Sequence, residues 1–159
     1  MRRVLLTLLA VLPCAAAAMP ALSDADAKFD KGLHQEALAL YEAVLSSGPA
    51  ADRPKALWRA CEAEALLFRY GSAYERLRAA ELPGDGLWPA RFMLLKAELG
   101  REYLKQYASS QPEDEEEGAE DAFRFTEDQL RAGVESAFHS LWARRAELAR
   151  AEVDGEAYI

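Results

Sequence analysis

Residues 32–49, GLHQEALALYEAVLSSGP, restrict what this chain can fold into more than any other stretch. Ala37, Leu38, Tyr41, Val44 and Leu45 recur at intervals of three and four, which puts them on one face of an α-helix over Gln35–Ser47. Gly32 turns the chain before it, and Gly48-Pro49 ends it, glycine suiting a left-handed cap and proline being unable to continue a helix. A short helix with a single apolar stripe is marginal in water by itself, so its stability must come from neighbours that bury the stripe. The neighbours are of the same kind. Alanine, leucine and glutamate dominate the chain and β-branched residues are scarce, which favours helix throughout.

Ser23 and Asp26 have the spacing of a capping box opening a short first helix that ends near Lys31. Asp52 and Pro54 start a third helix, Lys55 to about Tyr70, containing Trp58, Cys61, Ala65 and Leu66, and Gly71 breaks it. The next helix, about Ser72 to Leu82, carries Tyr74, Leu77 and Ala80 before the loop Pro83-Gly84-Asp85-Gly86. Pro89 suits a first helical turn. The helix it begins runs to about Ala108, with Phe92, Leu95, Leu99, Tyr103 and Tyr107 on one face. Gly100 lies mid-helix, where it costs about 1 kcal/mol relative to alanine, and marks a close helix crossing or a break. Residues 109–118, SSQPEDEEEG, read as a solvated acidic loop. Thr126 and Gln129 then form a capping box, with Phe125 and Leu130 spaced as a hydrophobic staple. The final helix is expected from Glu127 to about Ala151, with Leu130, Val134, Ala137, Leu141 and Leu148 on one stripe and Phe138 and Trp142 widening it.

The first two helix pairs share one build: helix, glycine turn, helix, then a connection bearing proline or glycine. Gly32 and Gly71 stand 39 residues apart, a period at which stacked two-helix units form repeat arrays. The stretch 32–49 resembles the second half of a tetratricopeptide repeat. Gly32 matches the glycine before that helix, Ala37 its small position, Tyr41 its aromatic position and Pro49 the closing proline. Leu45 fills the interface, while Val44 stands where the pattern prefers alanine. Trp58 and Gly71 resemble the same pattern in a second, degenerate unit, thirteen residues apart rather than the usual eleven, with Arg76 and Ala80 at the small and aromatic positions. The resemblance spans about Asp24 to Leu82 and stops at Pro83. It implies a non-catalytic surface that holds a peptide or partner protein, and it makes Arg59, Glu62 and Arg69 candidate partner-binding residues on the first helices of the units. The fold expected is all-α: antiparallel helix pairs stacked as a short array over 19–82, then a C-terminal helical region over 83–159. A helical bundle whose alanines and leucines only pack is the alternative.

Residues 1–18 have the form of a secretory leader. Arg2 and Arg3 precede the apolar run Val4–Leu12, which is shorter than the roughly 20 residues a bilayer span needs, and Ala15–Ala18 offer a cleavage site. Periplasmic or secreted placement follows, in a bacterial envelope, either as a scaffold or as a structural module of a larger protein. Cys14 stands near a lipid-attachment position, but Pro13 precedes it where a small residue is needed. Cleavage after Ala18 leaves 17 basic against 27 acidic residues, a formal charge of −10, and Cys61 as the remaining cysteine. That balance provides no footprint for nucleic acid. Cys61 in an apolar run reads as a core thiol, and no cysteine metal site can be proposed from it. His34 and His139 lack metal-ligand spacing, Gly84-Asp85-Gly86 lacks the Lys-Ser of a phosphate loop, and no serine lies in a nucleophile elbow. The expectation is therefore no enzyme activity, no cofactor, no metal and an unidentified protein or peptide partner. Glu113–Glu117 read as a solvated run lacking the carboxylate and glycine spacing of a calcium loop.

Overall fold

The computed structural model describes residues 21–84, 86–113 and 122–148. The expected leader over residues 1–18 with Cys14, most of the acidic run and the segment after Leu148 lie outside the described residues. Seven α-helices follow in order: α1 Leu22–Asp30, α2 His34–Ser47, α3 Arg53–Leu66, α4 Tyr70–Ala79, α5 Trp88–Tyr107, α6 Glu127–Ala143 and α7 Arg145–Leu148. Short 3₁₀ turns join some of them, and the described residues contain no strand. Each long helix packs chiefly on its neighbours in the chain, so the helices stack in antiparallel pairs as in a helical-repeat array.

α3 lies at the centre. One of its faces, Ala56, Ala60 and Ala63, meets Ala25, Ala37, Leu38, Tyr41 and Val44 of α1 and α2. The other, Leu57, Trp58 and Cys61, meets Tyr74, Leu77, Phe92, Leu95 and Leu99 of α4 and α5, with Leu130 of α6 closing that core. The alanine face allows close approach, and the large face fills the wider gap. Polar ties join the layers. The Tyr41 hydroxyl donates to Asp26 at 2.7 Å, and Lys55 pairs with Asp26 at 3.2 Å. Burial, reinforced by Asp26, raises the Tyr41 phenol well above its ordinary range. Arg76 of α4 donates twice to Glu64 of α3, at 2.9 and 2.8 Å, and once to Glu42 of α2 at 2.6 Å. Glu64 is 5% exposed, so this bidentate clamp is what makes its burial tolerable.

One of the two glycine turns is as expected and the other is not. α1 ends as expected: Gly32, at φ +75°, donates to the Phe29 carbonyl, and Leu33 donates back to Lys28. That is a Schellman motif with glycine in its left-handed position. Gly71, however, does not break α3. It lies inside α4, and the turn comes three residues earlier, where Phe68 adopts φ +60° and donates to Ala65 while Arg69 donates to Glu64. Phenylalanine thus occupies the position that glycine holds in the first unit. The true offset between units is 36 residues, from Gly32 to Phe68. With that register, Ala73 rather than Arg76 stands opposite Ala37, and Leu77 rather than Ala80 opposite Tyr41; all four are buried. The second unit is better matched than its glycines imply.

Three boundaries and one cap conformation also differ. α1 begins at Leu22, capped by Ala21 without a side-chain hydrogen bond, so Ser23 and Asp26 form no capping box. α3 ends at Leu66 rather than near Tyr70. Gly48 caps α2 in an extended conformation, φ −77° and ψ 172°, rather than a left-handed one. The last long helix stops at Ala143, and a turn at Arg144 separates it from α7. The expected capping box at Thr126 and Gln129 is present in both directions, at 2.9 and 3.2 Å. Pro89 lies in the first turn of α5.

Gly100 marks a close crossing. A Cβ there would fall 2.6 Å from Val134 Cγ2 and 2.9 Å from the Tyr74 ring, both rigid and buried. Gly71 is a looser case: a Cβ there would fall 2.5 Å from Phe123, a ring 47% exposed that can swing away, and 2.9 Å from the buried Tyr103 ring. Gly100→Ala should therefore destabilise by about 1–2 kcal/mol despite better helix propensity, and Gly71→Ala by less, about 0.5–1 kcal/mol, because one of its two rings can move. Urea unfolding of the pair checks the contrast. Phe68→Gly removes left-handed strain from a side chain that is 70% exposed, and should raise stability by about 1 kcal/mol. A lower thermal midpoint would show that the ring is held by packing instead.

Candidate functional site

The first helices of the pairs, α1, α3 and α5, line one groove. Its floor is Phe29, Ala65, Leu66, Tyr70, Leu95 and Leu99, and Glu62, Glu98, Arg101 and Glu102 stand around it, enclosing about 500 Å³. Heptad-like spacing on α5 explains the division. Leu95 and Leu99 lie on the core-facing stripe, whereas Glu98 and Glu102 are one turn apart beside it. Arg59 donates to Glu62 at 3.0 Å, and its guanidinium lies 4.8 Å from the Phe29 ring centroid. Burial pushes the Glu62 carboxyl above its usual range, against the opposing pull of Arg59. Arg101 and Lys105 approach Glu102 at 3.5 and 3.6 Å. Glu98 is exposed and has no ion-pair partner among the described residues.

A second slot of about 340 Å³ adjoins the first across Tyr70, which lines both. Its walls are aromatic: Phe68, Tyr70, Tyr103, Tyr107 and Phe123, with Arg69, Ser110 and Gln111 at its edge. Tyr103 meets Phe123 edge-on, ring centroids 5.9 Å apart, and lies 5.4 Å from Tyr107. Gln111 donates to the Tyr103 hydroxyl at 3.0 Å. A larger cleft of about 900 Å³ opens beside α2 and α4. Three of its charged groups are already engaged, Arg76 with Glu64 inside the cleft and Glu75 with Arg78 outside it, which leaves that cleft less to offer a ligand.

Of the three candidate residues, Arg59 and Glu62 come together in the first slot, and Arg69 is exposed at the second. Glu98 and Phe68 were not expected there. Glu98 was traceable as the polar neighbour of the α5 stripe; Phe68 was hidden because the turn was assigned to the nearby glycine. Cys61 lies in the core, its Sγ 3.7 Å from the Ala73 carbonyl, and burial pushes its thiol up to about 12. A thiol so held is almost wholly protonated at neutral pH and is no nucleophile. His34 is half-buried against Phe29, and His139 is exposed. Among the described residues no group of three or more His, Cys, Asp or Glu could hold a metal ion, and no helix is long and apolar enough to cross a membrane.

Compared with protein-family models, with curated proteins and with solved structures, the chain matches none of them. What the fold defines is an all-α protein of stacked helix pairs, and the groove must be read from its own residues.

The raised Glu62 carboxyl gives that groove a pH signature. A carboxyl whose folded value exceeds its unfolded value binds its proton more tightly when folded, so its charge opposes folding above the folded value and is neutral to folding below the unfolded one. Glu62→Gln should accordingly raise stability at pH 7, with the gain shrinking to nothing by about pH 3, below the ordinary glutamate range. Denaturant unfolding of both proteins at the two pH values measures it.

Proposed function

We propose that this chain is a non-catalytic binding module, a short tetratricopeptide-like array whose first-helix groove takes an extended peptide carrying both basic and apolar residues. The groove itself supports the reading: an apolar floor between α3 and α5, bordered by Glu62, Glu98 and Glu102, continuing into an aromatic slot across Tyr70. Leu66 is half-exposed on that floor, and Glu98 is an unneutralised carboxylate at its edge. Apolar side chains entering the floor would supply affinity, and lysine or arginine facing Glu98 would supply orientation and a faster encounter. An overall charge of −8 for the whole chain favours the same partner. The leader-like pattern of residues 1–18 supports a role in the bacterial envelope, with the array as a scaffold for another protein.

A fluorescein-labelled decapeptide alternating lysine with leucine and tyrosine is a suitable probe, with a glutamate-for-lysine peptide as its counterpart. Fluorescence anisotropy should show binding of the basic peptide at about 10–100 µM, weakened at least fivefold by Glu98→Arg and by Leu66→Asp, and no binding of the acidic one. Equal binding of both peptides, or a basic peptide indifferent to both substitutions, would sink the assignment.

A further inference from the structure

α6 is the last long helix described, and the terminal helix of a stacked array ordinarily presents a polar outer face. This one does not. Its outer face carries Phe138 and Trp142, the latter 67% exposed. Asp128, Arg131, Glu135, Phe138 and Trp142 follow one another at alternating intervals of three and four on α6, the spacing of a helix-pairing seam, and Arg145, the first residue of α7, continues it against Trp142. All six are exposed, while Leu130, Val134 and Ala137 face the core.

The charges on the seam are arranged asymmetrically about the aromatic pair. Glu135 lies one turn before Phe138, and Arg145 lies three residues after Trp142. The Arg145 guanidinium stands 4.7 Å from the Trp142 ring centroid and donates to the Trp142 carbonyl at 2.9 Å, which holds it on this face. Neither Glu135 nor Arg145 has a carboxylate or cationic partner among the described residues. We propose that α6 is the interface of a two-fold homodimer in which two copies of the helix pack antiparallel. With the axis crossing at the height of Ser140, midway along the chain between Phe138 and Trp142, Phe138 meets Trp142 of the partner subunit and Glu135 meets Arg145 of the partner subunit. Two-fold symmetry repeats both contacts, so each unpaired charge gains a partner and both aromatic rings leave water. A parallel arrangement in register would set Glu135 against its own copy and Arg145 likewise, which charge repulsion disfavours. A contact confined to the last turns of α6 and the start of α7 is smaller than that of permanent dimers, so the association is weak, with a dissociation constant of about 10–100 µM.

Sedimentation velocity of the full chain from roughly 5 to 300 µM, a range bracketing that constant, should show a monomer converting to a dimer. Trp142→Ala should weaken the dimer at least tenfold. Glu135→Arg and Arg145→Glu should each weaken it at least fivefold, and the double substitution should restore it, because the pair is then re-formed with its signs exchanged. Circular dichroism identical to the parent shows that these exposed substitutions leave the fold intact. A monomer throughout the range overturns the proposal. So does a dimer indifferent to Trp142→Ala, or a double substitution no better than its single components.

Discussion

α3 has to be buried on two sides, and the remaining helices are arranged around that requirement. Ala56, Ala60 and Ala63 face α1 and α2, while Leu57, Trp58 and Cys61 face α4 and α5. A helix apolar on two faces cannot be satisfied by one partner, so α1–α2 alone would leave Trp58 in water and α4–α5 alone would leave the alanine face uncovered. This makes the packing of successive pairs a single problem rather than several independent ones. It also accounts for the Arg76 clamp. Glu64 lies on α3 between the two interfaces, and the guanidinium from α4 reaches it together with Glu42 of α2, tying three helices at a buried carboxylate.

The groove is a consequence of the same stacking. Antiparallel pairs bring alternate helices to the same side, so Phe29, Glu62 and Leu95, which are distant in the chain, meet in one slot. The groups that remain available there are those the core leaves over: an apolar floor too shallow to be covered by the array, and carboxylates on the turn beside the α5 stripe. That combination suits recognition of side chains by shape and charge. The thiol most suggestive of chemistry, Cys61, is instead held protonated in the core.

The helical pattern was readable because it rests on local spacing. Tyr41 and Val44 lie buried where the three- and four-residue intervals put them, and Thr126 with Gln129 caps α6 through hydrogen bonds between residues three apart. The turn between α3 and α4 was not readable. Glycine is the usual residue at a left-handed cap, so Gly71 attracted the assignment, but that glycine is needed where Phe123 and Tyr103 press on α4. Phe68 takes the strained conformation because the chain must reverse there for α4 to pack on α3. Of the candidate site residues, Arg59 and Glu62 were visible as an i, i+3 pair on one helix face, whereas Glu98 and Tyr70 joined them only through contacts between helices.

The amino-acid sequence by itself determined that the described chain is helical, where most helices begin, and which stripes must be hidden, because propensity, capping and periodicity act over a few residues. The tertiary structure alone decided the 36-residue register of the two pairs, which glycine permits close packing and which bends the chain, and which side chains share the groove. Those depend on distances between helices, and a pattern within one helix carries no information about how near its neighbour will come.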